Sequence, residues 1–192
     1  LEKLFWSQVT NSVIMTSATI RSVGKFNRFL VASGLVPETQ TITLTSPLNY
    51  KASQLIIPKM KVTPQEFEIH SIESSKIIYN YLNKLETGAL VLFTSFRAML
   101  KTYELLPKTI QSIVLKQGDY AKAVMIDKHK KIVDNSQPSI LFGLDSFSEG
   151  LDLPGNYLEL LILHKLPFSV PTDPIEKTKS EWVTASGKNA FI

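Results

Sequence analysis

Short apolar runs rich in branched side chains alternate along this chain with longer amphipathic stretches, and that alternation restricts the possible folds more than any other feature. The runs occupy residues 12–16, 54–57, 89–94, 112–115, 140–144 and 158–164. Apolar side chains follow one another at successive positions within them, which predicts strands covered on both faces. Strands of that kind separated by helices build a parallel sheet between helical layers. The expected class is α/β, a parallel sheet flanked by helices.

The intervening stretches carry helical signals. Residues 73–85 set Ile77, Ile78, Tyr81, Leu82 and Leu85 on one stripe, and Gly88 follows as a stop signal. Residues 98–106 end at Pro107, and residues 122–133 hold Val124, Met125, Ile132 and Val133 among lysines. Asp173 before Pro174 and Ile175 has the form of an N-cap with proline at the first helical position, opening a helix towards Trp182. Residues 36–64 carry Pro37, Pro47, Pro58 and Pro64 with many threonines, the composition of an extended connector. The expected organisation is a strand–turn–helix piece over residues 1–35, a connector over 36–69 and an α/β domain over 70–192.

Composition narrows the chemistry. A length of 192 residues gives room for one ordinary domain with an appended element. Twenty-one Lys and Arg face 17 Asp and Glu, a net charge of +4 that permits contact with phosphate backbones without requiring it. The chain has no cysteine, which excludes disulfides, a thiolate nucleophile, thiolate-bound zinc and an iron–sulfur cluster held by these residues. Its three histidines are scattered without metal-ligand spacing, so no metal site is expected. No apolar run approaches the ~20 residues of a membrane span, and Leu1-Glu2-Lys3-Leu4 is no signal-peptide core. A cytoplasmic location is expected. The missing initiator methionine marks the chain as an expected piece of something longer.

Four stretches carry candidate chemistry. In Val13-Ile14-Met15-Thr16-Ser17-Ala18-Thr19-Ile20 a buried strand ends in hydroxyls, at the edge of a sheet where α/β proteins bind ligands. The run from Ala89 to Arg97 repeats the pattern: Thr94, Ser95 and the amides of a helix start offer a phosphate site, with Arg97 adding charge. In Leu115-Lys116-Gln117-Gly118-Asp119 a strand end turns at a glycine that lets a backbone approach, flanked by donors. Each of these three also reads as an ordinary strand followed by a capped helix or a turn. The fourth stretch, residues 144–155, crowds Asp145, Glu149, Asp152, Ser146, Ser148, Gly150 and Gly155 just after a strand. Its carboxylates can accept hydrogen bonds from a ribose or an arginine, and Ser148 and Gly150 can face a phosphate backbone.

Taken in order, these stretches resemble the later motifs of superfamily 2 helicases of the XPD/DinG branch. Thr16-Ser17-Ala18-Thr19 resembles motif III, Val91-Leu92-Phe93-Thr94-Ser95 motif IV, and the run from Ser146 to Gly155 motif V. Ser17-Ala18-Thr19-Ile20-Arg21-Ser22, Val114-Leu115-Lys116-Gln117-Gly118-Asp119 and His164-Lys165-Leu166-Pro167-Phe168 narrow the likeness to the DinG type, over nearly the whole chain. The resemblance implies a RecA-like second motor domain, preceded by the end of the first, in an ATP-dependent 5′-to-3′ DNA helicase of replication and repair. It implies that Ser17 and Thr19 couple nucleotide state to DNA grip. Thr94, Ser95, Arg97, Lys116, Gln117, Gly118 and Ser148 would serve the DNA side, and Glu149, Gly150 and Asp152 the nucleotide side. ATP and Mg²⁺ are implied for the full-length protein, and a 4Fe-4S cluster for its first motor domain. The implied partners are single-stranded DNA, branched or duplex DNA and that first motor domain.

The departures are equally specific. No Gly-x-x-x-x-Gly-Lys-Ser/Thr loop occurs in these residues and no Asp-Glu pair follows a strand. Motif VI, with its arginine finger, is expected after Ala190-Phe191-Ile192. Two other readings remain open: a non-enzymatic α/β module that binds nucleic acid or a partner, and a small-molecule enzyme with Asp145 or Glu149 as general base in a closed pocket. Phosphoryl transfer needs a phosphate cradle, a metal ligand and an arginine whose loss alone costs about 10³–10⁵ in rate. Purified as these 192 residues, the chain is expected to show no steady-state ATP turnover. Turnover abolished by Glu149→Gln would contradict that expectation.

Overall fold

The computed structural model describes residues 5–17, 19–46, 48–166 and 174–187. The expected N-cap Asp173, together with Pro167 and Phe168, lies outside them. The chain divides into two compact units, Leu1–Ile56 and Ile57–Ile192.

In the first unit, a 3₁₀ turn at Trp6–Gln8 and the helix α1 (Asn27–Ser33) are joined by the Trp6 indole, which donates to the Ser33 carbonyl at 2.6 Å. Gly34 closes α1 in the left-handed conformation, φ +64°, where its amide reaches the Leu30 and Val31 carbonyls. Residues 12–16, expected as a strand, form none. They take no regular structure, no described segment hydrogen-bonds alongside, and Ile14 is 89% exposed. Residues 54–57 behave likewise, with Leu55 and Ile57 in solvent. Apolar character alone does not make a strand; a strand also needs a neighbour for its backbone groups.

The second unit starts before the expected boundary at residue 70. Its first helix, α2 (Phe67–Leu82), opens six residues ahead of the expected residue 73. Ser71, Ser74 and Ser75 are buried on its inner face, which hides the apolar stripe. Ser71 and Ser75 each donate to the carbonyl four residues back, at 2.6 Å, so the buried hydroxyls are satisfied within the helix. The Glu73 carboxylate accepts from the Lys61 amide at 3.0 Å and the Val62 amide at 3.3 Å. The last part of the expected connector is thereby fastened to α2.

After α2 come β1 (Gly88–Leu92), α3 (Phe96–Leu105), α4 (Lys108–Gln111), β2 (Val114–Lys116), α5 (Lys122–Asp134), β3 (Ser139–Gly143), β4 (Leu160–Leu163) and α6 (Pro174–Ala185). The four strands pair in the order β2-β3-β1-β4, all parallel. This is the expected α/β class. Side chains alternate between the two faces of the sheet. Ala89, Val91, Phe93, Ile140 and Phe142 pack with Ile78 and Leu82 of α2, Met99 of α3 and Ile110 of α4. On the opposite face Leu90 and Leu141 meet Met125 of α5 together with Phe147 and Leu153. The central strands β1 and β3 are therefore covered on both sides. Leu161 and Leu163 of β4 stay about half exposed.

Two glycines permit close approaches. A side chain at Gly88 would place its Cβ 2.1 Å from the Tyr157 carbonyl oxygen, and one at Gly143 would sit 2.5 Å from Cγ of Phe147. Gly155, with φ +59°, has open space around it instead. Gly88→Ala forces backbone against backbone and is expected to cost ~3 kcal/mol, the upper range for overpacking. Gly155→Ala carries only the left-handed penalty of about 1 kcal/mol. Urea midpoints for the two variants should fall in that order; equal shifts would show that the Tyr157 segment yields.

Candidate nucleic-acid and nucleotide interface

Parallel pairing sends every strand's carboxyl end to one edge. From β1 the chain leaves to α3 on one face, whereas after β3 residues 147–153 pack on the other. Neighbouring strands whose chains depart to opposite faces open a crevice between their ends, the usual ligand position in such sheets.

The loop after β1 supplies Thr94, which is exposed, and Ser95, the N-cap of α3, whose Oγ accepts from the Ala98 amide at 3.2 Å. Arg97 turns towards α2. Its guanidinium lies 3.9 Å over the Phe67 ring and 3.6 Å from Glu68. Lys101 also reaches Glu68, at 2.7 Å, and that hydrogen bond is the main reason the Glu68 carboxyl sits below its ordinary pKa.

After β2, the Gln117 amide continues the ladder to the Phe142 carbonyl at 2.8 Å. The Gln117 side chain then crosses to the next loop: its Oε1 accepts from the Leu144 amide at 2.9 Å and from the Ser146 hydroxyl at 3.4 Å. Gly118 takes φ +104°, and a Cβ there would lie 3.4 Å from the Phe96 ring, so this turn rests on the start of α3. Lys116 pairs with Asp119 and its ammonium stands 5.2 Å from the Tyr103 ring centre.

After β3, a 3₁₀ turn at Asp145–Phe147 buries Phe147 against Gly143. Ser148 Oγ donates to the Asp145 carbonyl at 2.6 Å. Glu149, Gly150 and Asp152 follow at the surface, Gly150 with φ +67°. Thr94, Ser95, Gln117, Gly118, Ser148, Glu149, Gly150 and Asp152 thus occupy loops along one sheet edge, while Arg97 and Lys116 are engaged by carboxylates beside it. In the first unit, Ser17 and Thr19 are exposed and bond to each other, Oγ to Oγ1 at 3.0 Å.

Three residues outside the sequence-derived set shape the site. Lys122 donates to the carbonyls of Ser146 and of Glu149, the latter at 2.9 Å. A lysine in the first turn of a helix opposes the helix dipole, and that misplacement was the one sequence signal for a special role. His129 is fully buried, with Nδ1 2.9 Å from Ser139 Oγ and Nε2 2.7 Å from the Tyr157 carbonyl. Its spacing with Met125 and Val133, four residues either way, marks it as core; Val124, expected to be apolar-facing, is exposed instead. His164 follows β4, its amide bonding to the Leu92 carbonyl at 2.9 Å, and completes the edge.

The His164 ring lies between Phe93 and His70, with centroids 5.1 and 5.4 Å away. Its Nε2 is 3.3 Å from Ser74 Oγ, which itself donates to the Ser71 carbonyl. Nδ1 is buried and has no partner among the described residues, so a proton added there would meet no acceptor among them. Burial first, then His70 and Lys165, push its pKa down to about 4.

Two clefts, of about 790 and 380 Å³, lie elsewhere. One is lined by Pro58, Ile77, Tyr81 and Leu160, the other by Ile113, Ile132 and Pro138. Neither includes Asp145 or Glu149, whose loop is open to solvent, which disfavours an enclosed small-molecule active site there.

A parallel α/β sheet whose carboxyl edge gathers amides, hydroxyls and carboxylates from three successive loops is the architecture of a nucleotide- or nucleic-acid-handling domain. The sequence family described as the helicase C-terminal domain matches residues 78–192, and the chain belongs to it. Over 198 aligned residues the chain is 37% identical to the ATP-dependent DNA helicase DinG of Photobacterium profundum, covering 100% of this chain and 28% of that protein. It is 34% identical over 197 residues to the ATP-dependent DNA helicase DinG of Escherichia coli (strain K12), covering 100% and 27%. The DinG protein of Salmonella typhimurium is 35% identical with the same coverage. The chain therefore spans little more than a quarter of the length of the curated relatives it matches.

The neutral form of His164 is the one the fold accepts. Its stabilising contribution is complete above about pH 6.5 and is lost as pH falls from there towards about 4. The loss amounts to roughly 3 kcal/mol at 1.36 kcal/mol per pH unit. His70 and His129 are displaced in the same direction, chiefly by burial. Urea unfolding at stepped pH should show this decline, and His164→Phe should flatten part of it. An unchanged slope in that variant would remove His164 as the cause.

Proposed function

We propose that this chain is part of the motor of an ATP-dependent 5′-to-3′ DNA helicase of replication and repair, located in the cytoplasm. Residues 70–192 would form the second motor domain, and residues 1–35 the end of the first, joined through residues 36–69. The observation that carries the reading is Gln117, whose side chain ties the loop assigned to DNA to the loop assigned to nucleotide. A motor needs that linkage between its two ligands. The relatives, ATP-dependent DNA helicases by name, support the same reading.

In this proposal Thr94, Ser95, Arg97, Lys116, Gln117, Gly118 and Ser148 meet the backbone of single-stranded DNA, which also forms part of branched or duplex substrates, Arg97 and Lys116 by exchanging their carboxylate partners for phosphate. Glu149, Gly150 and Asp152 border the nucleotide, and Ser17 and Thr19 respond to its state. The sequence has no triphosphate-cradle loop and no cysteine to ligate a 4Fe-4S cluster, and no cluster of metal-ligating side chains occurs among the described residues. Those groups would be held by other parts of the protein. Support for a first motor domain as partner comes from the first unit, where Ile14, Ile42 and Leu44 lie exposed on backbone that joins no strand among the described residues. Such segments suit insertion into a sheet supplied from elsewhere.

Two measurements test the proposal. Fluorescence anisotropy with a labelled oligonucleotide should show sequence-indifferent binding by this chain, with Kd in the non-specific range of roughly 10⁻⁴–10⁻⁶ M at physiological salt. Lys116→Ala should lower the salt slope by about one unit, and Gln117→Ala should weaken binding without changing the slope. Binding confined to one sequence would reject the assignment. The full-length protein should hydrolyse ATP in response to single-stranded DNA. There Glu149→Gln should lower the rate roughly ten- to a hundredfold, the equivalent of a charged hydrogen bond of ~1.5–3 kcal/mol. Absence of DNA-stimulated turnover in the wild type would end the helicase reading.

A further inference from the structure

We propose that Lys122 is a positioning residue that couples the DNA-side loop to the nucleotide-side loop; the functional half of this inference rests on the reading just given. The geometry is specific. Lys122 begins α5, yet its side chain leaves the helix and spans to residues 144–152. There it donates to two carbonyls, Ser146 and Glu149, that bracket Ser148. The ammonium also stands 5.5 Å from the Phe147 ring centre, and 4.0 Å from where a Cβ on Gly150 would lie. One cation therefore closes the turn that carries Ser148, Glu149 and Gly150.

Gln117 holds the start of the same loop through Leu144 and Ser146. Gln117 and Lys122 flank the short turn between β2 and α5. The start of the nucleotide-side loop and its turn at Glu149 are thus both tied to the segment assigned to DNA. A displacement of that segment carries Glu149 with it.

The other lysines of α5 lack this geometry. Lys131 pairs with Asp127 one turn away at 2.7 Å, and Lys128 and Lys130 lie beside the Tyr120 and Tyr157 rings. Charge alone does not distinguish Lys122, since all four are cations. What distinguishes it is a pair of backbone acceptors on another loop. Hydrogen bonds from charged donors contribute more than neutral ones, and they are directional enough to fix a turn.

The test uses the full-length protein with Lys122→Ala, Lys122→Arg and Lys128→Ala. Amide exchange at residues 144–150 should accelerate by about tenfold in Lys122→Ala, as expected from losing a charged hydrogen bond that holds a local turn. Amides of β1, β3 and α5 should keep their protection. KM for ATP and the single-stranded DNA concentration giving half-maximal turnover should both rise in Lys122→Ala. Lys122→Arg, which still donates, should recover both, and Lys128→Ala should match the wild type. If Lys122→Ala loses protection in β1 and β3 as well, Lys122→Met, of similar length but without a donor, takes its place in the same comparison. Wild-type exchange at residues 144–150 in the Ala or Met variant overturns the brace. Faster exchange there with unchanged KM and DNA dependence overturns the coupling. A wild type without DNA-stimulated turnover overturns the helicase reading instead, and the exchange measurement then judges the brace by itself.

Discussion

The structure depends on the pairing of β1 with β3 on one side and β4 on the other. Those parallel ladders satisfy backbone groups that the helical layers seal from water, where an unmade hydrogen bond costs about 1–3 kcal/mol. Once β1 is fixed between its neighbours, the position of each later loop follows. The loop after β1 must start at Phe93, whose amide still bonds to Gly143, and the loop after β3 must start beside it. Hydroxyls, amides and carboxylates far apart in sequence meet because the sheet has one carboxyl edge.

The same constraint explains why so few side chains are needed to organise the site. Gln117 and Lys122 act on backbone atoms of the neighbouring loop, and Ser148 acts on its own turn. Phe147 fills the space that Gly143 leaves empty, so the turn is anchored from below by packing and from the side by hydrogen bonds. Polar and apolar contacts fix one short segment together. This leaves Glu149 and Asp152 free at the surface.

Much of the fold was legible in the sequence, because β1 and β3 are covered on both faces and therefore read as unbroken apolar runs. The failures have physical causes. Residues 12–16 and 54–57 have strand composition but no neighbour to pair with among the described residues, and pairing cannot be read from one segment. The start of α2 was obscured by serines that satisfy their own hydroxyls inside the helix. For the site, residue type and spacing pointed to loops that the fold does bring to one edge. They could not show that Arg97 turns to Phe67 and Glu68, or that Lys122 reaches another loop. Both depend on where a long flexible side chain finds its partner, which tertiary geometry decides. His129 could have been found from its spacing with Met125 and Val133.

The alternating exposure along β4 has a consequence for the molecule's behaviour in solution. Among the described residues β4 is the outermost strand on its side, and one of its rows, Leu161 and Leu163, faces water. A row of apolar side chains beside unpaired amides and carbonyls is a template for another chain's backbone. Strands can be added there without disturbing the core, because the ladder to β1 is already complete. The sheet is thus closed to rearrangement at its centre and open to growth at its rim. Among the described residues, that rim is where a further strand has backbone groups and an apolar row to join.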